Sequence, residues 1–292
     1  MDDGIMKFLV TGSGGQLGNG WQRILKERSN DFVALDRGGL DICDVESIAK
    51  ALDTHEPDVC VNTAAYTQVD KAETQTEEAY LGNVLGPKLL AEACAARGIQ
   101  MVHYSTDYVF SGKLTDREIF EEGYPEDAPT DPINRYGATK FEGEQAVFKA
   151  LPTALVLRVS WLCGLDGNNF VKAIINRAKT MGQLRVVNDQ FGVPSFVPDV
   201  VEQSLFLIHH KQSGLFHLGS DGCISWYDFA KKIMEDAQVD VLIEAVDSSA
   251  FPTVAKRPHF SKLATKRLND LGMPIHSWEI GCKTLVSALN DE

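Results

Sequence analysis

The sequence predicts an α/β fold: a Rossmann-like, doubly wound parallel sheet with a smaller C-terminal α/β substrate lobe. Three observations predict it. Short apolar runs alternate with amphipathic segments through the first half of the chain. Those runs are apolar throughout, as strands covered by helices on both faces must be. The first run ends in the glycine-rich stretch TGSGGQLG, residues 11–18.

KFLVTG (7–12) is the first strand, and a helical pattern follows over 17–28. FVALD (32–36) is the second strand. DVESIAKALDTHEP (44–57) is a helix that stops before Pro57, because proline disfavours helical backbone just ahead of it. DVCVNTA (58–64) is the third strand. A long helix over 76–97 is expected to break or kink near Gly82 and Gly86. IQMVHYST (99–106) is the fourth strand, RYGATKFEGE (135–144) opens a helix, and ALVLRVS (154–160) is the fifth strand. Right-handed crossovers then give the doubly wound sheet.

Beyond about residue 160 the pattern is less regular. NNFVKAIINRAKT (168–180) and SWYDFAKKIMEDA (225–237) read as amphipathic helices among loops rich in Gly, Pro, Asp and Ser. The expected division is a dinucleotide-binding domain over 1–160 and a mainly substrate-binding lobe over 161–292. A helix near 198–210 is expected to return to the first domain. No Gly/Ser-rich linker separates the halves, so their boundary reads as a cleft.

Hydrophobic residues make up 44% and charged residues 24% of the 292, ordinary for a globular chain with a sizeable core. Acidic residues outnumber basic ones 41 to 28, for a net charge of −13. That balance disfavours nucleic acid, whose phosphates need clustered Lys and Arg, and an anionic membrane surface. The longest apolar runs fall far short of a bilayer span. The start, MDDGIMKFLV, lacks the basic region of a signal peptide, and its first five residues read as an extension before Met6. Six scattered cysteines (43, 60, 94, 163, 223 and 282) with no CxxC pair read as buried thiols in a reducing, cytoplasmic compartment. No His/Cys cluster has zinc spacing, so no catalytic metal is expected.

The chemistry begins at Gly12, Gly15 and Gly18, whose spacing is a variant of the dinucleotide fingerprint. Glycines there permit the tight turn, let backbone N–H groups approach a pyrophosphate, and let the helix pack close to the strand. The helix N-terminus adds partial positive charge. Asp36 ends the second strand eighteen residues past Gly18, where a carboxylate can bind an adenosine ribose hydroxyl and favour NAD. Arg37 follows it and would instead suit the 2′-phosphate of NADP; Asp36 could equally form the turn before RGG. Asp41 either reaches the adenine amino group or caps the helix near residue 44. Small residues at Ala64 and Ala65, after the third strand, would let a flat dinucleotide lie against the backbone, or serve close packing alone. The cofactor set taken together is Gly12, Gly15, Gln16, Leu17, Gly18, Asp36, Arg37, Asp41, Ile42, Ala64, Ala65, Tyr66, Thr67, Tyr136 and Lys140. Ser105 and Thr106 end the fourth strand, pointing hydroxyls into the cleft or capping a turn. Tyr136 and Lys140, four apart, share a helix face.

The glycine turn T-G-x-x-G-x-x-G, NVLG (83–86) and Tyr136-x-x-x-Lys140, in this order, resemble the extended short-chain dehydrogenase/reductase family. The resemblance covers nearly the whole chain, through NTAAYTQVDKAE, STDYVF, YGATKFEGE, VLRVSWL, NDQFGVPS, GLFHLGS, SWYDFA and KRPHFSKLATKRL. It departs at Ser111 in VFSGK, where the family usually has Asp. The resemblance implies reduction of the 4-keto group of a dTDP-linked sugar, dTDP-4-dehydro-6-deoxy-L-mannose, by NADPH or NADH. It also implies a monomer or homodimer, with magnesium at most at a non-catalytic site.

In such a reductase Tyr136 gives a proton to the ketone oxygen. A free phenol has a pKa of about 10, and the Lys140 charge is expected to lower it while also bonding the nicotinamide ribose. Thr106 would stabilise charge on the substrate oxygen. By resemblance Thr106 and Asp107 contact the sugar and Trp161 lines its pocket, although Trp161 also reads as a core aromatic. Arg257 in KRP would bind the diphosphate or lie on the surface. Two alternatives stand beside this reading: another nucleotide-sugar 4-ketoreductase, and a regulatory subunit like the β subunit of methionine adenosyltransferase.

Overall fold

The computed structural model describes residues 6–291, so the extension read into the first five residues lies outside the described residues. Six parallel strands form the central sheet. Five come from the first half: β1 (Lys7–Thr11), β2 (Asp31–Leu35), β3 (Val59–Asn62), β4 (Gln100–Thr106) and β5 (Leu155–Val159). The sixth, Gly214–His217, comes from the second half and pairs with β5 at the sheet edge. The order is Gly214–His217, β5, β4, β3, β1, β2.

Helix α1 (Gln16–Glu27) buries Leu17, Trp21, Ile24 and Leu25, one stripe at helical spacing, on the sheet. The Val197–His209 helix packs beside it and contributes Val197, Val200, Val201 and Leu205 to the same core. A β-carbon on Gly20 would lie 2.0 Å from a Val197 methyl, so the two helices touch almost backbone to side chain. Helix α2 (Val45–His55) is capped by Asp44, whose carboxylate accepts from the N–H groups of Glu46 and Ser47. That corrects one reading of Asp41: it does not cap this helix.

The segment over 76–97 departs from α-helix where its glycines lie, as expected, without ending there. It runs as α-helix over Thr76–Tyr80, widens to a π-turn over Leu81–Leu85, and resumes over Gly86–Arg97. Close approach is the reason for glycine here. A β-carbon on Gly86 would sit 2.7 Å from the Ile42 side chain, and one on Gly143 would sit 2.0 Å from the Asn83 carbonyl oxygen.

A second core lies under the helices Phe170–Thr180, Trp226–Asp236 and Trp278–Asn290, with Phe229, Ile233 and Val286 at its centre. Its tie to the glycine turn is direct: Asn169 donates to the Gln16 side chain at 2.7 Å, and Gln16 donates to the Leu162 carbonyl at 3.0 Å. All six cysteines are free. Among the described residues, no helix is long and apolar enough to cross a membrane.

Candidate active site

The turn after β1 is built for glycine. Gly12 has φ +63°, and a β-carbon on it would meet the Ala64 backbone nitrogen at 2.7 Å. A β-carbon on Gly18 would lie 2.5 Å from the Gly12 carbonyl oxygen. At Gly14, by contrast, nothing lies within 4 Å, so the turn is open on its outer side. Gly15 is the N-cap of helix α1 and gives it no side-chain cap, and the first turn holds no acidic residue. Its first N–H groups are thus available to an anion, and the cradle fits a dinucleotide pyrophosphate.

Asp36 serves the turn that was its alternative role: one carboxylate oxygen accepts from Gly38 N at 3.0 Å and Gly39 N at 3.1 Å. Arg37 is 87% exposed and contacts Asp41 at 3.3 Å. Asp41 accepts from Cys43 N, and that bond, with Arg37, holds its carboxyl below the usual range. Ile42 is buried. Beyond β3, Ala64 and Tyr66 are half-buried and Ala65 and Thr67 exposed. Asn83, from the π-turn, clamps this loop by exchanging two bonds with the Tyr66 backbone and donating to Thr139 Oγ1 at 3.1 Å.

At the end of β4, Thr106 is buried and its hydroxyl donates to Asp107 Oδ1 at 2.9 Å. Asp107 is 3% exposed, and burial pushes its carboxyl up to about 7 against the Thr106 and Ser261 bonds. Its Oδ2 is buried without a hydrogen-bond partner of normal geometry. The Arg135–Ala150 helix starts beside it, capped by Asn134, whose side-chain oxygen accepts from Gly137 N at 2.8 Å. Tyr136 is thereby held edge-on to Tyr108 at 5.6 Å.

The structure corrects the reading of the Tyr136–Lys140 pair. Burial pushes the phenol up, to about 12, with the Thr106 hydroxyl opposing and Asp107 reinforcing. Lys140, 2% exposed, donates instead to the Tyr104 carbonyl at 2.6 Å. Burial pushes it down to about 8, and Glu144 opposes that. Burial is thus the largest influence on the phenol, opposite in direction to the lowering expected from Lys140.

Trp161 has a left-handed backbone, φ +44°, and its ring stacks on Trp226 at 3.5 Å. The opening beside Tyr108 is a cavity of about 720 Å³ whose aromatic wall includes Trp226, Phe170 and Phe251, with Lys113, Arg177, Arg185 and Lys256 around it. Trp161 backs that wall. Phe170 and Trp226 escape sequence reasoning because they start amphipathic helices and pass for core positions; the signal was a large aromatic immediately after the cap. Arg257 also lines the cavity, but its guanidinium pairs with Asp70 at 2.7 Å. Among the described residues, no group of three or more His, Cys, Asp or Glu could hold a metal.

Comparison with known proteins agrees over the whole chain. A family model described as the RmlD substrate binding domain matches residues 6–290. The dTDP-4-dehydrorhamnose reductase of Escherichia coli K12 is 34% identical, over 97% of this chain and 98% of that one. A probable dTDP-4,6-dihydroxy-2-methyloxan-3-one 4-ketoreductase of Streptomyces antibioticus is 39% identical, over 94% and 92%. The crystal structure of the Bacillus anthracis dTDP-4-dehydrorhamnose reductase in complex with NADP superposes with a TM-score of 0.92 at 35% identity, over 97% and 99%.

Proposed function

The chain belongs to the RmlD substrate binding domain family, and on that premise we propose that it reduces the 4-keto group of dTDP-4-dehydro-6-deoxy-L-mannose to give dTDP-L-rhamnose. When bound, NADPH or NADH supplies the hydride. The observation that carries the reading is the grouping at the end of β4 of a hydroxyl, a phenol and a buried ammonium, from Thr106, Tyr136 and Lys140.

Each group has a task. The uncapped start of α1 and the Gly12–Gly18 turn would hold the pyrophosphate, and the Ala64–Thr67 loop would flank the dinucleotide. A phenol raised to about 12 stays protonated at neutral pH, as a proton donor must. The ketone oxygen becomes an alkoxide, a stronger base than a phenolate, so transfer from Tyr136 runs downhill. Lys140 then stabilises the phenolate that remains and would bond the nicotinamide ribose. Thr106 donates to the oxygen as charge develops on it. The unpartnered oxygen of Asp107 accepts a sugar hydroxyl. The cationic rim with Trp226 and Phe170 takes the dTDP moiety, and Arg257 would join it on leaving Asp70. The free thiols support a cytoplasmic setting, and the protein acts as a monomer or homodimer.

The test is oxidation of NADPH and NADH with the dTDP-ketosugar, followed by absorbance. Wild type should turn over, and Tyr136→Phe should lose turnover while still binding cofactor. Full activity in Tyr136→Phe would sink the mechanism. Turnover only with other dTDP-4-ketosugars would favour the second reading, another 4-ketoreductase, which the Streptomyces antibioticus relative supports. No turnover with any of them, together with copurification of a partner enzyme, would favour the regulatory-subunit alternative.

A further inference from the structure

Arg158 stands in the middle of the apolar strand β5, 2% exposed. Its guanidinium grips Glu144 with two bonds, Nε to Oε1 at 2.8 Å and Nη2 to Oε2 at 2.7 Å. Glu144 is 1% exposed and lies one turn beyond Lys140 on the same helix, so both side chains project to the same buried side. The third guanidinium nitrogen reaches the Glu126 carbonyl and His217 Nε2, each at 3.4 Å, and the fork lies 5.0 Å from the Phe110 ring.

A buried ion pair is a poor device for stability, because apolar side chains of similar size fill the space with no desolvation cost. Its position next to Lys140 suggests another use. We infer that Glu144, fixed in orientation by Arg158, is a positioning residue whose carboxylate, one turn along the same buried helix face, keeps the Lys140 ammonium charged while it is bonded to the Tyr104 carbonyl. The inference rests on the roles proposed above for Tyr136 and Lys140.

The groups facing Lys140 leave Glu144 as its counter-charge. From β4 come the Tyr104 carbonyl, which accepts a hydrogen bond from the ammonium, and His103, which burial and Lys140 together keep neutral. From its own helix come Tyr136, an un-ionised phenol, and Glu144. From β5, Arg158 spends its charge on Glu144. Behind Arg158, His217 is neutral, pushed down to about 3 by burial and the adjacent guanidinium. The Glu126 carboxylate is turned to the His217 backbone N–H at 3.1 Å.

The experiment compares wild type with Glu144→Gln/Arg158→Gln, which removes both charges together and leaves neither buried alone. Lysine labelled with ¹³C at Cε, with the Lys140 signal assigned through Lys140→Arg, reports the titration of Lys140 by NMR without requiring turnover. In the double variant Lys140 should titrate lower by about half a pH unit or more, a change of about threefold in proton affinity. The alkaline limb of kcat/KM against pH should move down with it. An unmoved Lys140, or a loss of kcat/KM by one factor at every pH, overturns the inference and leaves the pair structural. Should the double variant not fold, Glu144→Asp withdraws the carboxylate by one methylene; a smaller shift in the same direction is expected, and no shift overturns the inference. A wild-type chain that reduces no dTDP-ketosugar while Lys140 still responds to Glu144 would sink the proposed function alone. Turnover that depends on Tyr136, with an unresponsive Lys140, would sink the positioning role alone.

Discussion

Gly137→Ala tests how closely the Tyr136 helix must sit against the end of β4. A β-carbon at this position would lie 2.1 Å from the Tyr108 carbonyl oxygen and 2.9 Å from the carbonyl carbon. Ordinary contact begins at 3.4 Å, so the helix start must withdraw by about 1.3 Å, the difference between 3.4 and 2.1 Å. The obstacle is backbone, which cannot rotate away as a side-chain tip can. Tyr136 is the adjacent residue and moves with it. A misplacement of about 1 Å costs on the order of 100-fold in rate, which is the expected fall in kcat/KM. Overpacking of this kind also costs about 1–3 kcal/mol of stability. Each kcal/mol lowers Tm by roughly 2–4 °C for a domain of about 200 residues. The assays are ketosugar-dependent NADPH oxidation and thermal melting, with Gly182→Ala as control, since nothing lies within 4 Å of a β-carbon there. The control should match wild type in both. A Gly137→Ala enzyme within about threefold of wild-type kcat/KM, alongside a neutral control, would refute the claim that this contact sets the geometry.

Arg158→Met should cost about 3–5 kcal/mol in urea unfolding, because it leaves the Glu144 carboxylate buried without its partner. A loss below about 1 kcal/mol would mean that water reaches Glu144. Asp107 should make the fold less stable as pH rises. Its folded pKa of about 7 lies above the ordinary value of 3.8, so between these values the native state binds the proton that the unfolded chain has released. Stability from this group is full at the acid end of that window and lost by its upper end. Asp107→Asn should therefore flatten the change in stability between pH 4 and 7, read by urea unfolding at each pH. An unchanged slope would place the titration elsewhere.

The first five strands were legible because each is an apolar run bounded by a helix pattern, and in the interior strands β1, β3, β4 and β5 burial on both faces leaves no other composition. The glycine turn was legible for a related reason, since only glycine tolerates the approach of Ala64 to Gly12. The π-turn at Leu81–Leu85 was legible only as an interruption, because local composition predicts that glycines weaken a helix, while the neighbours that require them, Tyr66 at Gly82 and Ile42 at Gly86, come from elsewhere in the chain. Within the site, Thr106 and Tyr136 were proposed from their order along the chain and Asp107 from the family resemblance, but the hydrogen-bond partner of Lys140 was not foreseen. The i,i+4 spacing suggests Tyr136, whereas the ammonium reaches the carbonyl of Tyr104 across the helix–sheet interface. Arg158 did carry a signal: a lone charge inside ALVLRVS requires a buried counter-ion. Spacing alone could not tell which of the distant acids supplies it.

The sixth strand has a consequence for how the protein is made. Synthesis delivers β1 to β5 first, yet the strand that covers the outer flank of β5 and the Val197–His209 helix that covers α1 emerge only much later. Until residue 217 leaves the ribosome, the nascent half-sheet exposes a bare strand edge and the apolar residues awaiting Val200, Val201 and Leu205. Closing it requires joining segments far apart along the chain, which is slow and exposes the intermediate to aggregation. A gene fragment ending at residue 160 would thus encode a chain with an open seam, and dependence on chaperones should be greatest in the interval before that strand is translated.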